Sequence, residues 1–147
     1  MNLNELLAGY HHKINIQIRF KDIDKQGHVN NANHITYFEV ARVKYFKDVF
    51  RNNIDWIKTG MILGHTDITY KRPILLEDEV YCYTKISKFG TKSFEIDNVL
   101  TVENGHDTFL CAHGKSTLVC MNYDTKLTIE VPKPWIEAVN QYENAIR

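Results

Sequence analysis

The sequence predicts an α+β fold, a curved antiparallel sheet wrapped around one long central helix. Three observations predict it: one alternating apolar run near the start, one long segment of helical period after it, and a remainder that is strand-like almost to its end. A sheet curled around a helix lets each element bury its apolar face against the other.

The first strand is expected at Lys13–Phe20, where Ile14, Ile16, Ile18 and Phe20 alternate with Asn15, Gln17 and Arg19. A polar stretch, 21–31, follows it. From Asn33 to Phe50 the period changes, and Ile35, Phe38, Ala41, Tyr45 and Val49 recur at steps of three and four. Arg42, Lys44, Lys47 and Asp48 take the other directions, so the segment reads as an amphipathic helix of about five turns. Asn30, Asn31 and Asn33 crowd its start, where short polar side chains satisfy unpaired backbone N–H groups. Further strands are expected at Gly64–Tyr70, Val80–Ser87, Ser93–Val102 and Thr108–Met121. Phe89-Gly90-Thr91 and Asn104-Gly105 separate the last three, the second a strong hairpin signal. Strands joined so tightly pair antiparallel. Pro132 and Pro134 precede Trp135, Ile136 and Val139, which predicts a short C-terminal helix with proline in its first turn. No repeat or linker divides the chain, so one domain over residues 1–147 is expected. Periodicity reaches only this class, and other α+β sandwiches satisfy it too.

Composition narrows the function classes. Lys+Arg and Asp+Glu both count 18, leaving a formal net charge of zero. A protein that holds nucleic acid by neutralising phosphates carries a basic excess, so no nucleic-acid partner is expected. Cys82, Cys111 and Cys120 form no CxxC pair, and their odd number argues against a disulfide framework and a zinc ribbon. Reduced thiols fit a reducing, cytoplasmic compartment. Residues 1–10 include Glu5 and lack the basic leader and apolar run of a signal peptide. No apolar run approaches the roughly 20 residues that span a bilayer, so no membrane association is expected.

The chemistry concentrates between the first strand and the long helix, in Asp22-Ile23-Asp24-Lys25-Gln26-Gly27-His28-Val29-Asn30-Asn31. Two carboxylates, an imidazole and two asparagines stand immediately before a helix N-terminus. The first-turn N–H groups are unpaired there, and the helix dipole adds roughly half a positive charge. A carbonyl oxygen gaining negative charge in a tetrahedral transition state is stabilised at such a place. A nearby carboxylate can then attack the carbonyl or deprotonate a water. Capping and turn formation call for the same residue types. Asp22 and Asp24 point to opposite faces if the strand continues, so only one of them faces a site.

The string DIDKQGHVNNANHITYFEVARVKYF, Asp22 to Phe46, resembles the motif of the 4-hydroxybenzoyl-CoA thioesterase-like branch of the hotdog superfamily. That motif runs D-x-D-x-x-G-H-V-N-N-x-x-Y and continues into the central helix with an F-E-x-A-R-like segment. Ile68 to Val80 and the turn Phe89–Ser93 resemble the family's strands and hairpin, so the resemblance runs roughly from Lys13 to Val119. It implies a hotdog fold and hydrolysis of an acyl thioester such as acyl-CoA, with no cofactor beyond the CoA of the substrate. Carried over by position, the catalytic aspartate falls on Asp24, as general base or nucleophile, and the oxyanion donor on the backbone N–H nearest Asn31. In acyl-ACP thioesterases, which are similar here, an asparagine and a histidine accompany the aspartate. Gln26 departs from that asparagine, and His28 matches the histidine and would orient groups or shuttle a proton. Gln26 and Asn30 are carried over as substrate contacts. The family also implies a homodimer, or a tetramer built from it, with acyl sites near the shared interface.

Other residues have two readings each. Glu39 is a rival carboxylate, since another hotdog branch uses a helix glutamate, but pairing with Arg42 at i+3 accounts for it. Lys71, Arg72, Lys88 and Lys92 offer donors for the phosphates of CoA, or are solvated strand ends. Tyr37, Phe38, Tyr45 and Phe46 are candidates to line an acyl pocket. His11-His12 lacks a third ligand at useful spacing, so no metal site is expected. Asn33-His34 reads as the first helical turn. Two rival functions remain. Hotdog hydratases resemble D-x-x-x-x-H, whereas His28 lies four residues after Asp24 and six after Asp22. A non-catalytic acyl-thioester binder is the third reading, and retention of Asp24 argues against it.

Overall fold

The alternating run near the start forms β1, His12–Ile16, in the computed structural model of the chain, which describes residues 2–144. Burial alternates as expected through Ile14, Ile16 and Ile18, but the strand is shorter than Lys13–Phe20 and Phe20 is 84% exposed. The cause is local. The Asp22 carboxylate accepts from the Arg19 backbone N–H at 3.1 Å and from its guanidinium at 2.8 Å, and Phe20–Asp22 wind into a 3-10 turn. That turn takes Phe20 out of the sheet.

The later strands are β2 (Thr59–Tyr70), β3 (Val80–Phe89), β4 (Ser93–Asn104), β5 (Asp107–Asn122) and the two-residue β6 (Leu127–Thr128). They form one antiparallel sheet in the order β1-β3-β4-β5-β2, with β6 beside the end of β5. The tight turns pair β3, β4 and β5 in sequence, while the longer 71–79 connection lets β2 cross to the far side of β5. In the β4–β5 turn Asn104 pairs with Asp107, so the central pair is Gly105-His106, one residue later than expected. Gly105 supplies the positive φ of 64° that this turn needs.

The sheet curls around α2, Asn31–Phe50, which starts two residues before the expected Asn33 because Asn30 caps it. Its buried face includes Tyr37, Phe38, Ala41, Tyr45, Phe46, Val49 and Phe50. Two assignments from the helical period are corrected. Ile35 is 42% exposed, and Arg42 is only 7% exposed. The stripe is centred on His34, Phe38, Ala41 and Tyr45, and Arg42 is buried beside it. Arg42 Nη2 reaches Glu39 Oε2 at 3.7 Å, the pairing expected at i+3.

The core divides into two apolar clusters. One joins the C-terminal half of α2 to Phe94, Ile96, Leu118 and Trp135, the other joins the N-terminal half to Ile16, Ile74, Val80 and Leu100. Two polar pairs lie in the sheet, the buried Asn98–Thr84 at 2.9 Å and the half-buried Thr66–Ser116 at 3.1 Å. Gly114 lets Phe38 lie against β5, since a Cβ there would come within 2.7 Å of the Phe38 ring. The C-terminal helix α3, Lys133–Asn144, seals one end: Trp135 is 1% exposed and its indole N–H donates to the Asn53 carbonyl at 3.0 Å. A short N-terminal helix, Leu3–Ala8, was not legible in the sequence. It is held by a capping box between Asn2 and Glu5.

Candidate active site

The loop before α2 is a small hairpin. Ile23 and Val29 form an isolated bridge, the Asp24 N–H donates to the His28 carbonyl at 3.0 Å, and the Gly27 N–H donates to the Asp24 carbonyl at 3.0 Å. Gly27 has φ of 81°, a left-handed value that closes the turn at no steric cost. Asp24 Oδ1 accepts from the Gln26 N–H at 2.9 Å, the turn chemistry expected of an aspartate there. Asp24 Oδ2 accepts from Asn30 Nδ2 at 3.2 Å. Each carboxylate oxygen thus takes one hydrogen bond and keeps acceptor capacity for another group.

Asp22 and Asp24 do different work. Asp22 is 1% exposed, accepts from the Tyr37 hydroxyl at 2.6 Å, and lends its carbonyl to the Asn30 N–H and to Asn33 Nδ2. Burial alone pushes its carboxyl up, but Tyr37 and Arg19 more than offset that and hold it below the usual carboxylate range. Burial first, and the hydrogen bond to the Asp22 carboxylate second, push the Tyr37 phenol up. Asp22 is therefore a girder joining the loop to α2, and Asp24 is the carboxylate left partly open.

A cleft of about 250 Å³ opens beside Asp24. It brings together Asp24, Gln26, His28 and Asn31 from the loop and helix start with Tyr70, Lys71 and Arg72 from the end of β2. The hydrogen bond from Val29 N–H to the Ile74 carbonyl, 2.8 Å long, ties the two segments together. At the head of α2 the Ala32 N–H is capped by Asn30 Oδ1 at 3.0 Å and the Asn33 N–H by the Asn30 carbonyl at 2.9 Å. The Asn31 N–H has no acceptor among the described residues. It is a backbone donor at the positive end of a helix about 30 Å long, and Asn31 is one of the residues lining the cleft that holds Asp24.

The remaining candidates lie elsewhere. Tyr37 and Phe38 pack in one core cluster and Tyr45 and Phe46 in the other, so none of the four lines this cleft. Glu39 is exposed on α2, outside the cleft. Lys92 sits in the β3–β4 turn, where the neighbouring Thr91 carbonyl accepts from Val131 N–H and Phe94 meets Phe46 edge-on. That is roughly 20 Å along α2 from Asn31. Lys71 and Arg72 are exposed; both backbone N–H groups donate to the Cys111 carbonyl, and the Arg72 guanidinium stacks 3.9 Å from the Phe109 ring centre. His34, read from sequence only as part of the first helical turn, and Tyr70, read only as a strand end, also line the cleft. The signal for His34 is its spacing, since positions 34, 38, 41 and 45 share one helix face.

The cysteines do not supply a nucleophile. All three are buried and unpaired, and burial pushes the Cys82 thiol up to about 12. Among the described residues no group of three or more His, Cys, Asp or Glu side chains is placed to hold a metal ion. Nor is any helix there long and apolar enough to cross a membrane.

A carboxylate and an unpaired helix N–H beside one cleft are the parts that acyl-transfer chemistry needs. Residues 18–139 match the family model described as the thioesterase-like superfamily. Among curated proteins, the chain is 30% identical over 82 residues to "Uncharacterized protein YsmA" of Bacillus subtilis (strain 168), a match to 55% of this chain that spans about half (54%) of that protein. It is 23% identical over 129 residues to "Long-chain acyl-CoA thioesterase FadM" of Escherichia coli (strain K12), covering 86% of this chain and 95% of that one. Among solved structures it superposes on a Thermus thermophilus thioesterase complexed with coenzyme A and Zn, with a TM-score of 0.79 and 28% identity over 92% of this chain and 96% of that one.

Proposed function

The chain belongs to the thioesterase-like superfamily, and from that premise we propose that it works as a single hotdog domain over residues 1–147 hydrolysing acyl-CoA thioesters through Asp24. The observation that carries the reading is the shared cleft of the Asp24 carboxylate and the unpaired Asn31 N–H. The thioester carbonyl oxygen takes the Asn31 N–H, and negative charge growing there meets the positive end of α2. Asp24 then removes a proton from water as the water oxygen adds to the carbonyl carbon, or attacks that carbon itself to give a mixed anhydride that water opens. The C–S bond breaks, the CoA thiolate leaves and takes up a proton, and the free acid departs. Isotope decides between the routes: in a single turnover in ¹⁸O water, the anhydride route can leave label in Asp24 and the general-base route leaves it only in the acid.

Gln26, Asn30 and His28 surround the carboxylate, and Lys71 and Arg72 lie at the cleft's rim as donors for the phosphates of CoA. The protein acts in the cytoplasm as a homodimer, which the unpaired β2 edge supports. The test is a kinetic panel from acetyl- to palmitoyl-CoA with benzoyl-CoA, repeated with Asp24→Asn. At least one member is turned over, and Asp24→Asn lowers its kcat by roughly 10²–10⁴-fold. Turnover of no member, or an Asp24→Asn variant as fast as the wild type, overturns the assignment.

A further inference from the structure

We infer that His34 positions the hydrolytic water, accepting one of its O–H groups on Nε2 while Asp24 serves the other. The inference rests on the reading of Asp24 as the catalytic carboxylate. His34 is 3% exposed, yet it lines the same cleft as Asp24. Its Nδ1 donates to the Asn30 carbonyl at 3.4 Å, which assigns the proton of the neutral ring to Nδ1. Nε2 is therefore an acceptor. It has no hydrogen-bond partner among the described residues and is not fully enclosed, and His34 lines the cleft. The ring itself is fixed: Tyr70 meets it edge-on at 4.9 Å, and the Tyr70 hydroxyl donates to the Asn31 carbonyl at 3.1 Å.

Burial lowers the His34 pKa from the ordinary imidazole value, against the Asn30 and Asn31 carbonyls, which raise it. The groups facing it are Asp24 and His28 from the loop, Tyr37 from its own helix, and Tyr70, Lys71 and Arg72 from the end of β2. Burial thus favours the uncharged ring, in which Nε2 is free to accept. Two acceptors, the Asp24 carboxylate and His34 Nε2, fix both hydrogens of a water and leave its lone pair for the carbonyl carbon. One proton passes to Asp24 as the C–O bond forms and reaches the thiolate when the C–S bond breaks. His34 takes only a hydrogen bond, and the arrangement belongs to the route in which water adds directly to the thioester, because an acylated Asp24 has no free carboxylate to hold the second hydrogen.

The experiment compares His34→Phe, His34→Gln and Asp24→Asn on whichever acyl-CoA the wild type turns over best. Phe keeps the ring packed on Tyr70 without an acceptor, and Gln restores an acceptor. His34→Phe is expected to lower kcat 10–100-fold, the size of one hydrogen bond lost from the transition state, with KM within about threefold. His34→Gln recovers part of that loss. The acid limb of kcat, set partly by protonation of His34 in the wild type, shifts in His34→Gln, which a purely structural histidine would not do. A folded His34→Phe within threefold of wild-type kcat overturns the inference; should that variant not fold, a His34→Gln pH profile superposing on the wild type does so. If Asp24→Asn loses activity while both His34 variants keep it, this inference alone fails. If Asp24→Asn is fully active, the reading beneath it fails as well.

Discussion

Asn30 holds Asp24 and caps the central helix with one side chain: its Nδ2 donates to Asp24 Oδ2 at 3.2 Å while its Oδ1 accepts from the Ala32 N–H at 3.0 Å. The carboxylate is thereby fixed to the positive end of the central helix. Asn30→Ala loses both contacts. It should cost about 1 kcal/mol of stability, a fall in Tm of about 3–5 °C, and lower kcat roughly tenfold through a loosened Asp24. Asn30→Asp keeps the cap but sets a second carboxylate beside Asp24, where like charge disfavours ionisation. Its Tm should stay near wild type while the acid limb of the pH–rate profile moves to higher pH. Thermal melts and pH profiles of the two variants check this, and an unmoved limb in Asn30→Asp would show that the two side chains are not coupled.

The buried neighbour gives a prediction about stability. The folded pKa of Asp22 is lowered, because the Tyr37 hydroxyl and Arg19 outweigh the effect of burial. A lowered folded pKa means that this group's stabilisation is present above its unfolded value, about 4, and is lost as pH falls through the folded value. Asp22→Asn should therefore cost about 1.5–3 kcal/mol at pH 7, mostly through the 2.6 Å bond to Tyr37, since Arg19 is half exposed and screened. Below pH 4 the difference should shrink. Urea unfolding of both proteins at pH 7 and pH 3 measures it, and a gap that is constant with pH would rule the linkage out.

The strands, the helix and the turns were legible because each depends on residues close in sequence. What failed depends on what lies across space. Phe20 continues the alternation perfectly, yet the Arg19–Asp22 contact turns it out of the sheet. Ile35 fits the helical period yet is exposed, while His34 and Arg42 are buried, and a buried polar residue adds nothing to an apolar period. The site shows the same division. Asp24, Gln26, His28 and Asn31 lie in one short stretch that carries a family motif, so they are nameable from sequence. His34 hides inside a helix start that capping already explains. Tyr70 arrives only because β2 crosses to β5 and brings its end against the helix head. Lys71 and Arg72 are named by charge, and Lys92, named on the same ground, falls at the other end of α2.

β2 carries the prediction about assembly. It is a sheet edge of twelve residues with no Pro and no Lys, and both its faces are largely open, with Ile62 45% and Leu63 41% exposed. Sheets normally keep such edges short, charged or covered, as the five-residue edge β1 is here. A second β2 running antiparallel would cover this one. Leu63→Glu, placing like charges across that seam, should shift the protein from dimer toward monomer in sedimentation equilibrium and lower its Tm in a concentration-dependent way. A wild-type protein that sediments as a monomer at micromolar concentration removes the pairing altogether.

The oxyanion donor in the proposed mechanism is a backbone group, and one substitution deletes it without touching a side chain that the mechanism uses. Asn31 is the first residue of α2, the helical position that proline favours, because its N–H has no intrahelical partner. The preceding Asn30 has φ −61° and ψ 141°, an extended conformation compatible with a following proline. The Asn31 N–H has no acceptor among the described residues, and the Asn31 carbonyl, which Tyr70 holds, survives the change. Asn31→Pro should therefore fold with a Tm close to wild type. Its kcat should fall by roughly 10²–10³, the cost of one oxyanion donor, with KM moved far less, because the lost bond strengthens only as charge develops. Asn31→Ala keeps the N–H and should stay within a few-fold of wild-type kcat, which separates the backbone group from the side chain. An Asn31→Pro enzyme that melts normally and turns over normally would mean that the carbonyl oxygen sits elsewhere in the cleft.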